Sequence, residues 1–513
     1  PTKLCIVLSV VFSIFFTSLL WYGVKMAALH SNLVNILFMT TNFILILAYI
    51  HRKKKRKTDK TDLPKMLNLN GTITLVAVVI SSAILVYIQQ FVYFPFIRGD
   101  NWGYLSISNY IDKGLFFLEP VGKFYNVGPP FTYPLYISAL FHLSGFPPVN
   151  SMMITSLIVA SLMPIAFYCM CLKYTKDKKV SMLSTFIYVA ISGFGWVPFF
   201  QERGMSIFDH SLYPQDLLLV FRSVAPKVLN DITQPQGAIP EGFKTYVLAN
   251  LALIMLLYLL ESDLPFKARV SLIAVLTAFA FLVHIEEALI MPSTFLLAYV
   301  LSSKKKAREI RENIAAVGIG FLLTFIIGLT YPNRWIDSFA ANYLIVALVL
   351  GLLFGYTFIQ KRIKIKLLNQ KFALLKFVTL SLIFYFYLLS IITLVFYGYE
   401  NMYYGSSVIY KGFTFPWYYY PLSFGVVGGL LIIGFAMNFQ KKEGMLFSFL
   451  SVVLLLIYGR FVSFINVNFF FTGAKEWRIL YRLVPIPASV FAGWAFYKLF
   501  YSLRSSKLSL IHI

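Results

Sequence analysis

The sequence predicts an all-α, polytopic membrane protein of about twelve to fourteen transmembrane helices, and three observations carry that prediction. Hydrophobic residues make up 59% of the 513 positions, charged residues only 13%, and the mean hydropathy is +0.74. Apolar runs of roughly 17–25 residues recur along the chain, each long enough to cross about 30 Å of hydrocarbon as a helix. An unpaired backbone amide in lipid costs several kcal/mol, so such runs are expected to be helices rather than open strands. The third observation is the placing of charge: basic clusters at 52–57, 173–179, 304–311, 361–376, 441–442 and 504–507 fall between the apolar runs.

Assigning those clusters to the cytoplasmic side threads the whole chain consistently. The expected spans are 4–22, 32–50, 72–94, 151–172, 180–199, 244–260, 270–284, 287–302, 313–331, 340–359, 377–397, 421–438, 444–462 and 480–502. The pair 270–284 and 287–302 is short for two full crossings, and reads either as a tilted hairpin or as helices that stop inside the bilayer beside a cavity. The first run lacks a small-residue cleavage site and is followed by a second span, so it is expected to be a retained helix rather than a signal peptide. On this threading residues 1–71 form an N-terminal helical hairpin and basic cytoplasmic loop, 72–502 the transmembrane core, and 503–513 a cytoplasmic tail.

The net charge of +24 then has a topological meaning. Nearly all of it lies in the loops assigned to the inner side, which argues against a nucleic-acid partner and makes attraction to anionic membrane lipid a by-product. Cys5, Cys169 and Cys171 lie in or at the ends of apolar runs, without metal-type spacing or a disulfide framework, and read as small buried residues.

Three segments assigned to the outer side are longer than connection requires: 95–150, 200–243 and 398–420. The first contains Arg98-Gly99-Asp100-Asn101-Trp102 just beyond an apolar run, then the alternating residues 104–111, which suit a helix lying along the membrane or a short strand. Residues 135–143 read as another interfacial or entering helix. The third segment is crowded with Tyr and Phe, as membrane interfaces are, although sugars also stack on such rings.

Asp100 is the first candidate for chemistry. A carboxylate at the mouth of a span suits a general base toward an acceptor hydroxyl, or a metal ligand. Arg98 suits pairing with it, or binding phosphate through its planar fork. The second candidate is His284-Ile285-Glu286-Glu287: ionisable groups near membrane depth are costly unless paired or facing water, and His284 and Glu287 share a helix face at i, i+3. The third is Lys475-Glu476-Trp477-Arg478 with Arg482. Arg478 and Arg482 are four apart, so on an α-helix they project together and can hold a lipid phosphate. Their outer position also breaks the positive-inside tendency.

Asp100 after an early span, an interfacial helix, the stretch Gly128-Pro129-Pro130-Phe131-Thr132-Tyr133-Pro134-Leu135 and the late Glu476-Trp477-Arg478 to Pro487 segment are together similar to the C-type (GT-C) membrane glycosyltransferases. The resemblance, to a superfamily that includes the lipid-dependent protein mannosyltransferases and aminoarabinose transferases, covers the layout from about Thr72 to Tyr501. It implies a GT-C-like bundle that transfers a sugar from a polyprenyl- or dolichyl-phosphate donor to a protein, lipid or glycan acceptor. The work would be done at the outer face of the cell membrane. Asp100 would be the catalytic acid/base, and Arg98, Asn101, Tyr133, His284, Glu286, Glu287, Arg478 and Arg482 would bind substrate. Asn101 stands where a second acid would complete a metal pair, so a divalent metal has no adjacent acidic pair to support it. The oligosaccharyltransferase motif WWDYG has no counterpart in the sequence, which favours a monosaccharide donor. A transporter or lipid-linked-glycan flippase is the rival expectation, with the same acids handling ions or substrate.

Overall fold

The structure, a computed structural model, describes residues 2–27, 69–93, 100–113, 132–190, 245–303, 305–330, 335–359, 419–436, 443–465 and 479–505, with positions 36 and 40. These residues are almost entirely helical, and no strand occurs among them. The helices are α1 (Thr2–Met26), α2 (Leu69–Tyr93), α3 (Asp100–Asp112), α4 (Thr132–Ser144), α5 (Pro148–Thr175), α6 (Lys178–Ala190), α7 (Thr245–Leu260) and α8 (Phe266–Val283). They continue as α9 (Ile285–Met291), α10 (Leu297–Ser302), α11 (Ala307–Leu329), α12 (Trp335–Ile359), α13 (Tyr419–Ala436), α14 (Glu443–Ile465) and α15 (Pro485–Ser505). Two π-helical turns interrupt the pattern, Pro292–Leu296 between α9 and α10, and Ile479–Leu483 before α15. The expected spans 32–50 and 377–397 lie outside the described residues, apart from positions 36 and 40.

Among the described residues four helices are long and apolar enough to cross a membrane: Cys5–Lys25, Pro148–Thr175, Phe266–Val283 and Ala307–Leu329. The alternating stretch 104–111 is helix rather than strand, because it continues the helix that opens at Asp100. The supposedly short pair at 270–302 is a matched hairpin. Its first arm starts earlier than expected, at Phe266, directly after Pro265. Both arms, 266–283 and 285–302, then reach about 27 Å at 1.5 Å per residue. They reverse at His284, an extended residue with φ −156° and ψ 108°. The far ends meet again, where Lys305 Nζ donates to the Ser262 carbonyl at 3.0 Å and Tyr299 Oη to the Leu260 carbonyl at 3.0 Å.

The core is built by close helix crossings. Helices α8 and α11 pack where Gly320 faces α8; a Cβ there would lie 2.6 Å from the Ala274 carbonyl oxygen. Helices α6 and α15 cross at Gly493, where a Cβ would meet Ser184 Oγ at 2.2 Å. Small residues let backbones approach this closely, which is how helices associate when the hydrophobic effect between them is weak. Phe435, Phe449 and Phe491 fill the space beside that crossing with edge-on rings.

Polar contacts divide into two ends of the bundle. At one end Lys173 pairs with Asp263, and buried Arg269 pairs with Glu312 at 2.8 Å. Asn313 Nδ2 donates to the Leu260 carbonyl at 3.1 Å in the same region. At the other end Lys25 Nζ donates to the Asp112 carbonyl at 3.4 Å, Tyr22 bonds Thr330 at 3.1 Å, and Tyr104 Oη bonds Thr245 Oγ1 at 2.8 Å. Each contact joins loop ends that the charge threading assigns to one side. The outward surface is apolar, with Leu344, Leu348 and Leu352 along one stripe of α12 and Ile73, Val76, Ile80 and Ile84 along α2.

Candidate functional site

The buried charges of the second end converge on Glu287. Its side chain is 2% exposed and held from two directions. His284 Nδ1 contacts Oε2 from one turn earlier, and Arg482 Nη1 lies 3.5 Å from Oε1. The local fold sets up both contacts. His284 ends α8 and precedes α9, so Glu287 is the third residue of the new helix. Glu287 lies in the first turn of α9, where the positive end of the helix dipole favours an anion. The i, i+3 spacing read from the sequence is what brings the pair together on one face.

Arg482 arrives from the π-helical turn Ile479–Leu483, which leads into Pro485. Its guanidinium carbon lies 4.2 Å from the ring centroid of Tyr246, and Tyr246 is edge-on to His284 at 6.3 Å. Cation–π attraction and the Glu287 carboxylate therefore hold the guanidinium from two sides. Asn250, one turn along α7 from Tyr246, fixes the backbone of the π turn: its Nδ2 donates to the Arg482 carbonyl at 3.1 Å. Asn250 Oδ1 is buried without a hydrogen-bond partner among the described residues. Buried acceptors of this kind bind a donor when one is supplied, by water or ligand.

The same stretch of α7 touches the helix that Asp100 opens. Thr245 takes the Tyr104 hydroxyl from α3, while its neighbour Tyr246 lies under Arg482. Tyr104 also packs edge-on against Tyr133 at 5.7 Å. Tyr133 is 0% exposed and lies beside α3. At its far end α3 is tied by Asp112, which takes Ser138 Oγ–H and lies 3.0 Å from His142 Nε2.

Of the residues singled out from the sequence, His284, Glu287 and Arg482 come together. Asp100 and Asn101 form the first turn of α3, and the side chains of these two and of Glu286 lie outside the described residues, as do Arg98 and Arg478 entirely. The expectation that Arg478 and Arg482 share an α-helical face does not describe Arg482, whose turn is π-helical. Tyr246 and Asn250 were not expected. The one signal for them is an amide inside an otherwise apolar run beginning at Thr245. Searches against protein-family models, curated proteins and solved structures find no match to this chain.

Among the described residues no group of three or more His, Cys, Asp or Glu side chains is arranged to hold a metal ion. What the cluster offers chemically is a desolvated guanidinium paired with a carboxylate, an imidazole in contact with that carboxylate, and an amide acceptor without a partner among the described residues.

Proposed function

We propose that this chain is a polytopic membrane glycosyltransferase with a GT-C-like bundle, transferring a sugar from a polyprenyl- or dolichyl-phosphate donor to an acceptor at the outer membrane face. The observation that carries the reading is the joining of two sites through α7. Thr245 holds the helix that begins at Asp100, and Tyr246 holds Arg482 beside Glu287 and His284. Inverting transfer needs a base at the acceptor hydroxyl and positive charge at the departing phosphate. Asp100 supplies the first, accepting the hydroxyl proton as oxygen attacks the anomeric carbon and the bond to phosphate breaks. Arg482 supplies the second, and Asn250 Oδ1 is suited to accept a hydrogen bond from a sugar hydroxyl. Apolar stripes on α2 and α12 support a lipid-facing surface.

The test is sugar transfer from a labelled short-chain polyprenyl-phosphate donor, with the protein in lipid nanodiscs. Asp100→Asn is expected to lower transfer at least about a hundredfold at unchanged expression. Full transfer by that variant would remove Asp100 from the mechanism.

A second reading, a transporter or flippase, is favoured by one observation: buried charges sit where helices are interrupted, at His284 and in the Ile479–Leu483 turn, as at transporter substrate sites. Movement of intact donor across a liposome membrane without a covalent product would favour that reading over transfer.

A further inference from the structure

Three helices end at one place. Trp21 and Lys25 lie in the last two turns of α1, Asp112 is the last residue of α3, and His142 lies in the last turn of α4. Their side chains form one cluster. Trp21 Nε1 donates to Ser138 Oγ at 2.9 Å, Ser138 Oγ donates to Asp112 Oδ1, and His142 Nε2 lies 3.0 Å from that same oxygen. The His142 ring packs against Trp21 with centroids 4.9 Å apart. Lys25 Nζ lies 4.9 Å from the Trp21 ring centroid and donates to the Asp112 carbonyl at 3.4 Å. Trp21 and Ser138 are buried, while the Asp112 and His142 side chains keep 12% and 26% of their exposure.

The C-terminal end of a helix carries partial negative charge, so a carboxylate is misplaced at the end of its own helix and beside the ends of two others. Donors and cations there offset the conflict. His142 Nε2 is buried and meets Asp112 Oδ1 outside hydrogen-bond geometry. It must still carry its hydrogen, since a bare lone pair would face the lone pairs of the carboxylate. The proton that His142 gains and loses is therefore the one at Nδ1. With it, a full positive charge stands beside a carboxylate and at a helix C-terminus, and both are favourable. Without it, only a polar contact remains.

The groups around the imidazole are few. Helix α3 brings Asp112, followed by exposed Lys113, and α1 brings Lys25 and Trp21. On α4 itself the neighbours are Ser138 and Phe141. Helices α5 and α8 also pack on α4. The half of α5 from Pro148 to Ile165 has no ionisable residue, and Lys267 and Arg269 of α8 belong to its first turn, at the other end of the bundle.

We propose that His142 is a positioning residue for α3: protonated, it clasps Asp112 and holds the C-terminal end of that helix against α4 and α1, and neutral, it lets that end open. The opposite end of α3 begins at Asp100. The consequence for Asp100 rests on the transferase reading, whereas the clasp itself does not.

Hydrogen–deuterium exchange of the full chain in lipid nanodiscs, between about pH 5.5 and about pH 8, reads the clasp without any substrate. After correction for the intrinsic exchange rate, and with α6 as the reference helix, the amides of α3 are expected to be at least about threefold better protected at the acid end. His142→Gln, neutral at every pH, should show the alkaline level throughout, and so should Asp112→Asn. Ser138→Ala keeps the His142–Asp112 pair, so its protection should be lower overall but still depend on pH. Wild-type protection that is flat across the range would overturn the clasp, and a dependence that survives in His142→Gln would overturn the part of His142 in it. Transfer from the labelled donor is then measured at both ends of the range. The expected kcat follows the protection of α3 in the wild type and loses that component in His142→Gln, with KM for the donor unchanged. A kcat indifferent to His142→Gln, with the exchange result in place, would overturn the positioning role and leave the clasp standing. No transfer by the wild type at either pH would overturn the transferase reading, and with it the consequence for Asp100, while the exchange result stands.

Discussion

Arg482 and Glu287, on elements far apart in the chain, form an ion pair at 3.5 Å inside the bundle, with exposures of 8% and 2%. Pairs of this kind are often weaker as stabilisers than well-packed apolar side chains, yet removing one partner is severe because the other charge is left buried. Arg482→Ala is expected to lose about 3–5 kcal/mol of stability, and the double variant Arg482→Met with Glu287→Leu to recover much of that loss. Thermal unfolding in detergent, read by scanning fluorimetry, compares the two. A double variant no more stable than Arg482→Ala would show that the pair itself is the stabiliser.

Tyr104 gives a milder and more local prediction. Its hydroxyl bonds Thr245 Oγ1 at 2.8 Å, tying α3 to α7. Tyr104→Phe removes only that neutral hydrogen bond and should cost about 0.5–1.5 kcal/mol. On the transferase reading kcat falls more than KM changes, because Asp100 is displaced while Arg482 is not. An unaltered kcat with raised KM would place the effect on binding instead.

Gly493 tests the packing. A Cβ would lie 2.2 Å from Ser184 Oγ and 2.7 Å from the Ser184 Cα, so α15 cannot keep its distance from α6 with any side chain there. Gly493→Ala should destabilise by about 1–3 kcal/mol, and Gly493→Leu by more. Gly351, with nothing near its Cβ position, is the control: Gly351→Ala should be neutral or mildly stabilising, since alanine is the better helix former.

At the opposite end, the hydrogen bond from Lys173 holds the Asp263 carboxyl below its usual range. A depressed folded-state value means the pair stabilises above the unfolded aspartate value of about 3.9. That contribution disappears as the pH falls through the lower, folded value. Asp263 is mostly exposed, at 83% of its side chain, so the effect is small. Asp263→Asn should lower neutral-pH stability by at most about 1 kcal/mol and should narrow its difference from wild type in acid. A variant whose deficit is the same at pH 7 and in strong acid would assign the loss to packing.

How much of this was legible in the sequence depends on how local each cause is. The helices at Thr245–Leu260 and Pro148–Thr175 are close to their expected bounds because an apolar run between polar ends is a local signal. The pairing of His284 with Glu287 was legible for the same reason, as a spacing on one helix. Arg482 was singled out for its chemistry, but its carboxylate partner could not be read, since nothing local connects residue 482 to residue 287. Tyr246 escaped because a tyrosine at the start of an apolar run looks like any interfacial aromatic. The two π turns escaped because one extra residue per turn leaves the hydrophobic pattern almost unchanged. The alternation at 104–111 suited two periods equally, and contact with α4 and α5 goes with the helical one.

The one-residue reversal at His284 also bears on how such a chain would be built. In a membrane, matched arms joined by a single extended residue would enter as a pair, with the vertex leading through the hydrocarbon. Glu287 would then make that crossing before Arg482 had been synthesised. The imidazole beside it, delivered by the same stretch of nascent chain, is the described polar partner at hand for the passage. On that account His284 would be an escort during biogenesis before it is anything else, and His284→Leu would show its effect first as failed insertion of the hairpin.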